Sequence, residues 1–338
     1  MKKVLLTTTA LAGLVAFGAT GAQAADLSLN VGGQFKAYAG VTDQDTDDLR
    51  EFDLKREAEI HFNGETTLDN GLTVGVNIEL QAEPDANNDG SGDSNNPSQT
   101  ANEASDIEES YIYFSGNWGR INVGAEDGAA YLLQVAAPSA DSNVDGLDPD
   151  FLFVNLPFDD TRTAGNQFNA RTRYATDPSG DADKITFLTP KFNGIQAGVT
   201  YSPDIEQEVA GENLAGAETD NDAGDFEDHW EIAARYDGEF EGVSVHAGAG
   251  YVFASTESDA TPPTALGSDD LDEFNVGLKL GFEQFGLGVA YHDTNNGVDE
   301  NGDTETYIIG ADYTHGAYRV GASYLTSEGE TFGAGSDD

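Results

Sequence analysis

Charged side chains fall on alternate positions in several segments of this chain. The basic ones are Lys36, Lys55, Arg120, Lys184, Arg235, Lys279 and Arg319, and the acidic ones are Glu57, Glu59, Glu79, Glu126, Glu231 and Asp312. In an extended chain every second side chain points the same way, so groups in phase share one face. Opposed basic and acidic groups across a narrow water-filled gap would set up a transverse electric field, which selects among ions and polar solutes. The plainer alternative is a solvated strand face with no special arrangement. Residue types alone leave both open.

A long segment, 128–183, adds to this set. It carries Asp141, Asp145, Asp148, Asp150, Asp159 and Asp160, and the basic residues Arg162, Arg171 and Arg173. Phe151, Phe153, Leu156 and Phe158 could hold such a loop against a wall. Long loops in compact folds are usually functional. A second constellation, Asp85-x-Asn87-x-Asp89-Gly90-x5-Asn96, comes close to a calcium loop. Asp85, Asn87 and Asp89 supply hard oxygen ligands and Gly90 the sharp turn, but position twelve is Asn96 instead of a bidentate glutamate. The expectation is a weak Ca2+ candidate. No other cofactor is expected.

Catalytic constellations find little support. His61, His246 and His292 lie on separate segments, no serine has a nucleophile-elbow context, and no glycine-rich phosphate loop opens a helix. Carboxylate pairs carry no information among 62 acidic residues. There is no cysteine, so thiolate chemistry, disulfides and cysteine metal sites are excluded.

The elements that would position these groups are strands. Phe285, Leu287, Val289 and Tyr291 alternate with Gly286, Gly288, Ala290 and His292. Phe274, Val276, Leu278, Leu280 and Phe282 alternate with Asn275, Gly277, Lys279, Gly281 and Glu283, and Tyr318–Tyr324 repeats the pattern. One wholly apolar face and one small or polar face suit a wall between lipid and water. The spacing predicts wall strands at 27–41, 50–63, 72–81, 105–115, 119–127, 184–190, 194–202, 228–237, 242–254, 271–283, 285–293, 304–314 and 317–327. Short turns built on Gly, Asn and Asp alternate with long acidic loops, as in an up-and-down antiparallel barrel. The alternating segment Gln167–Ala175 is assigned to the third long loop, because a wall strand there would exchange the long and short sides. The expected contrast is that Val289→Arg, on the apolar face, costs far more than Gly288→Ser on the other. Trp118 and Tyr111, Tyr113, Tyr201, Tyr236, Tyr251, Tyr291 and Tyr313 are expected at the membrane interfaces.

Residues 1–24 read as a secretory signal peptide: Lys2 and Lys3, an apolar stretch from Val4 to Gly18, then Ala22-Gln23-Ala24 as the cleavage site. The chain carries 15 basic against 62 acidic residues, net −47. That balance argues against nucleic acid and against anionic lipid bound through a general basic surface. Disorder is argued against by 18 Phe and 13 Tyr in regular alternation.

These residues together resemble the Gram-negative trimeric porins, the alphaproteobacterial general porins in particular. Ala25-Asp26-Leu27-Ser28-Leu29, Arg56–Gly64, Thr67–Gly75, Ile185–Gly194, Gly198–Asp204 and Tyr318–Tyr324 carry the resemblance. It implies an all-β transmembrane barrel of 16 strands, of which about 13 are expected in 25–338, with the last strands lacking. It also implies an outer-membrane homotrimer that passes small hydrophilic solutes and ions, has no enzymatic activity, and sits among lipid and lipopolysaccharide. The third loop would fold inward and make the constriction, with Lys36, Lys55, Glu57, Glu59, Arg120, Glu126, Asp148, Asp150, Arg162, Arg171 and Arg173 as pore-lining residues. The net charge predicts a weak preference for cations. The alternatives are a substrate-specific channel using Arg162, Arg171 and Arg173, or a secreted acidic β-rich adhesin.

Overall fold

The computed structural model describes residues 27–41, 51–81, 107–138, 174–205, 225–257, 267–300 and 302–329. They form thirteen strands: β1 (Ser28–Val41), β2 (Phe52–Thr67), β3 (Thr73–Gln81), β4 (Ile107–Gly116), β5 (Gly119–Ala125), β6 (Asp183–Leu188), β7 (Ile195–Asp204), β8 (Phe226–Phe240), β9 (Val243–Thr256), β10 (Leu271–Phe282), β11 (Phe285–Thr294), β12 (Thr304–His315) and β13 (Tyr318–Gly329). One sheet holds them in sequence order, every neighbour antiparallel. Each predicted strand is present, with ends shifted by a few residues.

Turn chemistry fixes the register at one rim. Phe240 pairs with Val243 across Glu241-Gly242, whose φ values are 51° and 84°. Asn193 and Gly194 repeat this at 50° and 85°. Positive φ at both central residues is the hairpin geometry whose twist matches that of the flanking strands. The opposite rim carries the long connections. β5 and β6 are adjacent and antiparallel although 57 residues separate them. A wall strand within Gln167–Ala175 is therefore ruled out for the described part, Tyr174 and Ala175, which are buried and not in a strand.

The apolar phase is the exposed one. Phe274, Val276 and Leu278 are 38–41% exposed, and Leu287 and Val289 about half. Their in-between neighbours Glu273 and Asn275 are almost fully buried. In water this would be inverted; it is the order expected when lipid covers the outside. Outward aromatics mark both rims. Tyr201–Trp230, Tyr251–Phe253 and Tyr291–Tyr307 lie on the loop side, with ring centroids 4.7, 6.0 and 4.8 Å apart. Phe285–Tyr313 lies on the turn side at 5.0 Å, and Trp118 stacks on Phe187. From Phe285 to Tyr291 the wall rises about 20 Å at ~3.4 Å per residue. Two tyrosines depart from the expectation. Tyr111 and Tyr113 pair with Asn77 and Gly75 on the inward phase, so they face the lumen. The cause is the irregularity at Glu79/Leu80, where Leu80 pairs with Ile107 and β4 gains one residue.

Apolar cores sit inside the curled sheet, where chain folded into the lumen meets the wall. Ala136, Ala137 and Tyr174 pack on Ala290 and Ile308, and Ala129 and Leu133 pack on Ala233.

Candidate functional site: the infolded segment and the lumen wall

After β5 the chain turns inward at Glu126–Gly128 and forms one helical turn, α1 (Ala129–Leu132). It continues to Pro138 and returns through 174–182 before β6. Gly128, in N-cap position, has no side chain to satisfy the first amides. The wall supplies the missing acceptors. Ala129 N–H donates to Thr200 Oγ1 at 2.9 Å, and Ala130 N–H to Glu231 Oε2 at 2.7 Å. Ser179 Oγ donates to the other oxygen of Glu231 at 3.1 Å, so this carboxylate ties both limbs to β8.

The segment lies on a track of glycines. A Cβ on Gly198 would meet Ala129 and Leu133, one on Gly250 Ala130, and one on Gly277 the Val135 carbonyl. On Gly288 and Gly310 it would meet Ala137 and Pro138. Where the segment runs, β7 and β9–β12 each present a glycine on the inward face, beside the small side chains of Ala233 and Ala290, which permits close approach. This geometry argues against the expected mildness of Gly288→Ser, because a side chain there would meet Pro138, Ala137 and the Leu278 carbonyl.

Polar contacts lock the two limbs together. Gln134 Nε2 donates to the Tyr174 carbonyl and Thr176 Oγ1 at 3.0 and 3.1 Å, and Thr176 N–H donates back to Gln134 Oε1 at 2.9 Å. Arg235 Nη1 donates to the Gln134 carbonyl at 3.3 Å. The Tyr174 hydroxyl lies 3.0 and 2.9 Å from the Val276 and Tyr291 carbonyls.

Acids gather at the root of the segment. Carboxylate oxygens of Glu109, Asp127 and Asp181 lie within 4.8 Å of one another. Burial raises Glu126 to about 7, against the opposing pull of Arg120. Burial and then Asp177 raise Asp181 to about 7, and the same two causes hold Asp127 well above the usual range. Lys184 Nζ donates to the Glu126 and Gly180 carbonyls.

The inward side of β1–β5 carries further charged groups. Lys36 is half-buried there, opposite the Glu57 position of β2, and Lys55 pairs with Tyr38 in the same register. Glu59 accepts from Gln34 Nε2 at 2.8 Å. The Arg120 guanidinium sits 4.0 Å from the Tyr113 ring centroid, and its Nε donates to Asn122 at 2.6 Å. Nearer the turn side, Asp237 collects Lys191, Arg235 and His246, and Arg319 Nε donates to Asp312 at 2.9 Å.

The structure therefore places Lys36, Glu59 and Arg120 on the inner face, with Lys55 and Glu57 at inward register positions. Glu126, Lys184 and Glu231 differ from open-lumen residues: they are 5%, 3% and 0% exposed, because the infolded segment covers them. Asp148, Asp150, Arg162, Arg171 and Arg173 lie outside the described residues, as do Phe151, Phe153, Leu156 and Phe158 and the calcium candidates Asp85, Asn87 and Asp89. Sequence reasoning missed Gln134, Tyr174 and Thr176, which lock the segment. It also missed the glycine track, although Gly248, Gly250, Gly277, Gly288 and Gly310 all stand on inward phases.

Comparison with known proteins agrees with this geometry. The family model for Gram-negative porins matches residues 7–338. The OmpF of Salmonella typhi, solved in complex with daunomycin, superposes with a TM-score of 0.57 at 18% identity, over 90% of this chain and 79% of that one. An anion-selective porin from Comamonas acidovorans gives 0.53 at 19% identity, over 89% and 78%. An uncharacterized protein of Rickettsia prowazekii is 24% identical over 135 residues, 35% of this chain, and the match spans only 29% of that relative's length. A strand-built wall, apolar outside and polar inside, with part of its third long connection seated against the inner face, agrees with the family match, and the chain is a member of the Gram-negative porin family.

Proposed function

We propose that this porin is a general-diffusion channel, assembled as a homotrimer, that passes small hydrophilic solutes and ions with a weak preference for cations. The observation that carries the reading is the seating of 128–138 on the glycine track. It puts part of the third long connection inside the lumen against the wall, which supports a channel narrowed by its own loop. The cation preference is supported by the net charge of −47, tempered by Lys36, Arg120, Arg235, Lys279 and Arg319 on the inner face. The constriction is assigned to Lys36, Lys55, Glu57, Glu59 and Arg120 of the wall together with Asp148, Asp150, Arg162, Arg171 and Arg173 of the third loop. Residues 1–24 would be removed on export, leaving 25–338 as the barrel domain.

The membrane partners are lipid and lipopolysaccharide. Support comes from the outward tyrosines of the loop-side rim. Tyr201 donates to Asp228, Tyr291 to Asp293 and Tyr307 to Glu305, which holds acids at headgroup level. Divalent cations would bridge such acids to phosphates, and Asp85, Asn87 and Asp89 are the Ca2+ candidates for this role.

Planar-bilayer recording tests the reading. Conductance steps in triplets that grow with salt without saturating, with a reversal potential of cation sign under a salt gradient, are the expected outcome. Anion selectivity would reject the preference, and saturable block by one solute would replace diffusion with a specific channel.

A further inference from the structure

Three side chains on the inner face of β2 and β3 form a donor set that the diffusion function does not require. Glu59 and His61 stand two apart on β2, and Glu79 is the cross-strand partner of His61 on β3. Residues two apart on a strand face the same way, and a cross-strand partner brings its Cβ within about 5.5 Å. The result is three donors converging from two rigid strands. His61 Nε2 lies 2.9 Å from Glu59 Oε2, and His61 Nδ1 lies 3.4 Å from Glu79 Oε1. One donor atom from each residue fits within 4.8 Å. All three side chains are partly exposed, at 15–27%, so the lumen reaches them.

The surroundings hold the two carboxylates in place. Gln34 Nε2 donates to Glu59 Oε2 at 2.8 Å, and Asn77 Nδ2 to Glu79 Oε1 at 2.8 Å. Asn77 is 4% exposed, its amide is directed at the site, and its Oδ1 has no hydrogen-bond partner. Outer-shell hydrogen bonds of this kind orient metal-ligating carboxylates. The ring of His61 has carboxylates at both nitrogens. A neutral imidazole donates through one nitrogen only, and a carboxylate only accepts. The second nitrogen therefore faces its carboxylate favourably either in a doubly protonated ring or with a metal cation between them, and Zn2+ titration separates the two.

We propose that Glu59, His61 and Glu79 bind a divalent transition-metal ion of the zinc class at the lumen wall. Imidazole selects this class over Ca2+ and Mg2+, which prefer all-oxygen sites. Zn2+ takes nitrogen and oxygen donors at about 2.0–2.2 Å and, with three protein ligands, keeps a fourth position for water. No group is oxidised, reduced or transferred. A bound ion adds two positive charges to the wall, next to the Glu109 end of the acidic root, and so opposes cation passage.

Isothermal titration of the detergent-purified, full-length protein with ZnCl2 tests the site. One saturable ion per chain is expected, with affinity at least about tenfold weaker in His61→Ala and in Glu79→Gln. Each variant is first shown to retain its metal-free single-channel conductance. In bilayers, Zn2+ should lower wild-type conductance reversibly, with EDTA restoring it, and leave His61→Ala unchanged. No saturable heat with wild type, or equal affinity in wild type and both variants, overturns the proposal. The site lies on the inner face whatever the channel passes, and calorimetry needs no conduction. A failure of the site is therefore separable from a failure of the diffusion reading.

Discussion

The Glu231 carboxylate on β8 accepts the Ala130 backbone N–H at 2.7 Å, 101 positions earlier in the chain. The wall thereby caps a helical turn whose own N-cap is glycine. Removing that acceptor leaves a buried amide unsatisfied, at about 1–3 kcal/mol. Glu231→Ala should therefore loosen the infolded segment, with noisier and larger single-channel currents. Glu231→Gln, which keeps an oxygen for Ala130, should come closer to wild type. Identical current noise in Glu231→Ala and wild type would show that the glycine track alone holds the segment.

The glycine track makes a separate prediction. Gly277 and Gly32 both stand on inward phases, and neither has positive φ. A Cβ at Gly277 would land on the Val135 carbonyl, whereas one at Gly32 meets nothing within 4 Å. Gly277→Ala should shift the segment or lower the thermal midpoint of unfolding, because backbone cannot yield as a flexible side chain can. Gly32→Ala should be silent or slightly stabilising, since a Cβ restricts the unfolded chain. Equal effects would break the assignment of the track.

How far this was legible from sequence depends on the range of the interactions. Strand existence and phase were readable because period-two alternation is local, as in Phe285–Tyr291. Tyr111 and Tyr113 were misassigned because one extra residue near Glu108 changes the phase of β4, and a bulge has no firm local signature. The inward seating of Glu126, Lys184 and Glu231 was not readable. Alternation tells which face a residue is on, not what later covers that face. Gln134, Tyr174 and Thr176 were invisible for the same reason: their partners lie about 40 to 117 positions away. The Glu59–His61–Glu79 set shows the intermediate case. The spacing of 59 and 61 was in plain view, but the register that brings in Glu79 depends on the turn 68–72.

The acids at the root make the segment pH-sensitive. Glu126 and Asp181 are raised by burial to about 7, well above the ordinary carboxylate near 4. A group raised in the folded state contributes stability that is fully present below its unfolded pKa and is lost as pH rises through the folded value. Seating of the segment should therefore weaken between about pH 4 and 7 and level off above. Amide exchange at Ala129 and Ala130, corrected for intrinsic rates, should show less protection at pH 8 than at pH 5. Asp181→Asn should flatten the dependence. Protection that rises with pH would mean that Lys184 and Arg120 outweigh burial at this root.

The outer face can be tested with one residue. Val289 on β11 is 47% exposed, between Leu278 on β10 and Ile309 on β12, away from both aromatic rims. An arginine on the lipid face at the bilayer midplane costs about 2–4 kcal/mol, and the cost falls toward the interfaces. Val289→Arg should therefore lower unfolding stability in bilayers by roughly that amount, and arginine at Tyr291, within the loop-side girdle, by less. If the exposed apolar phase met water instead, Val289→Arg would be tolerated at almost no cost, since a surface charge is ordinarily worth under about 0.5 kcal/mol. Chemical unfolding from lipid vesicles separates the two outcomes. A large cost at Val289 together with a small one at Tyr291 would also give depth along β11 in the order set by its alternation.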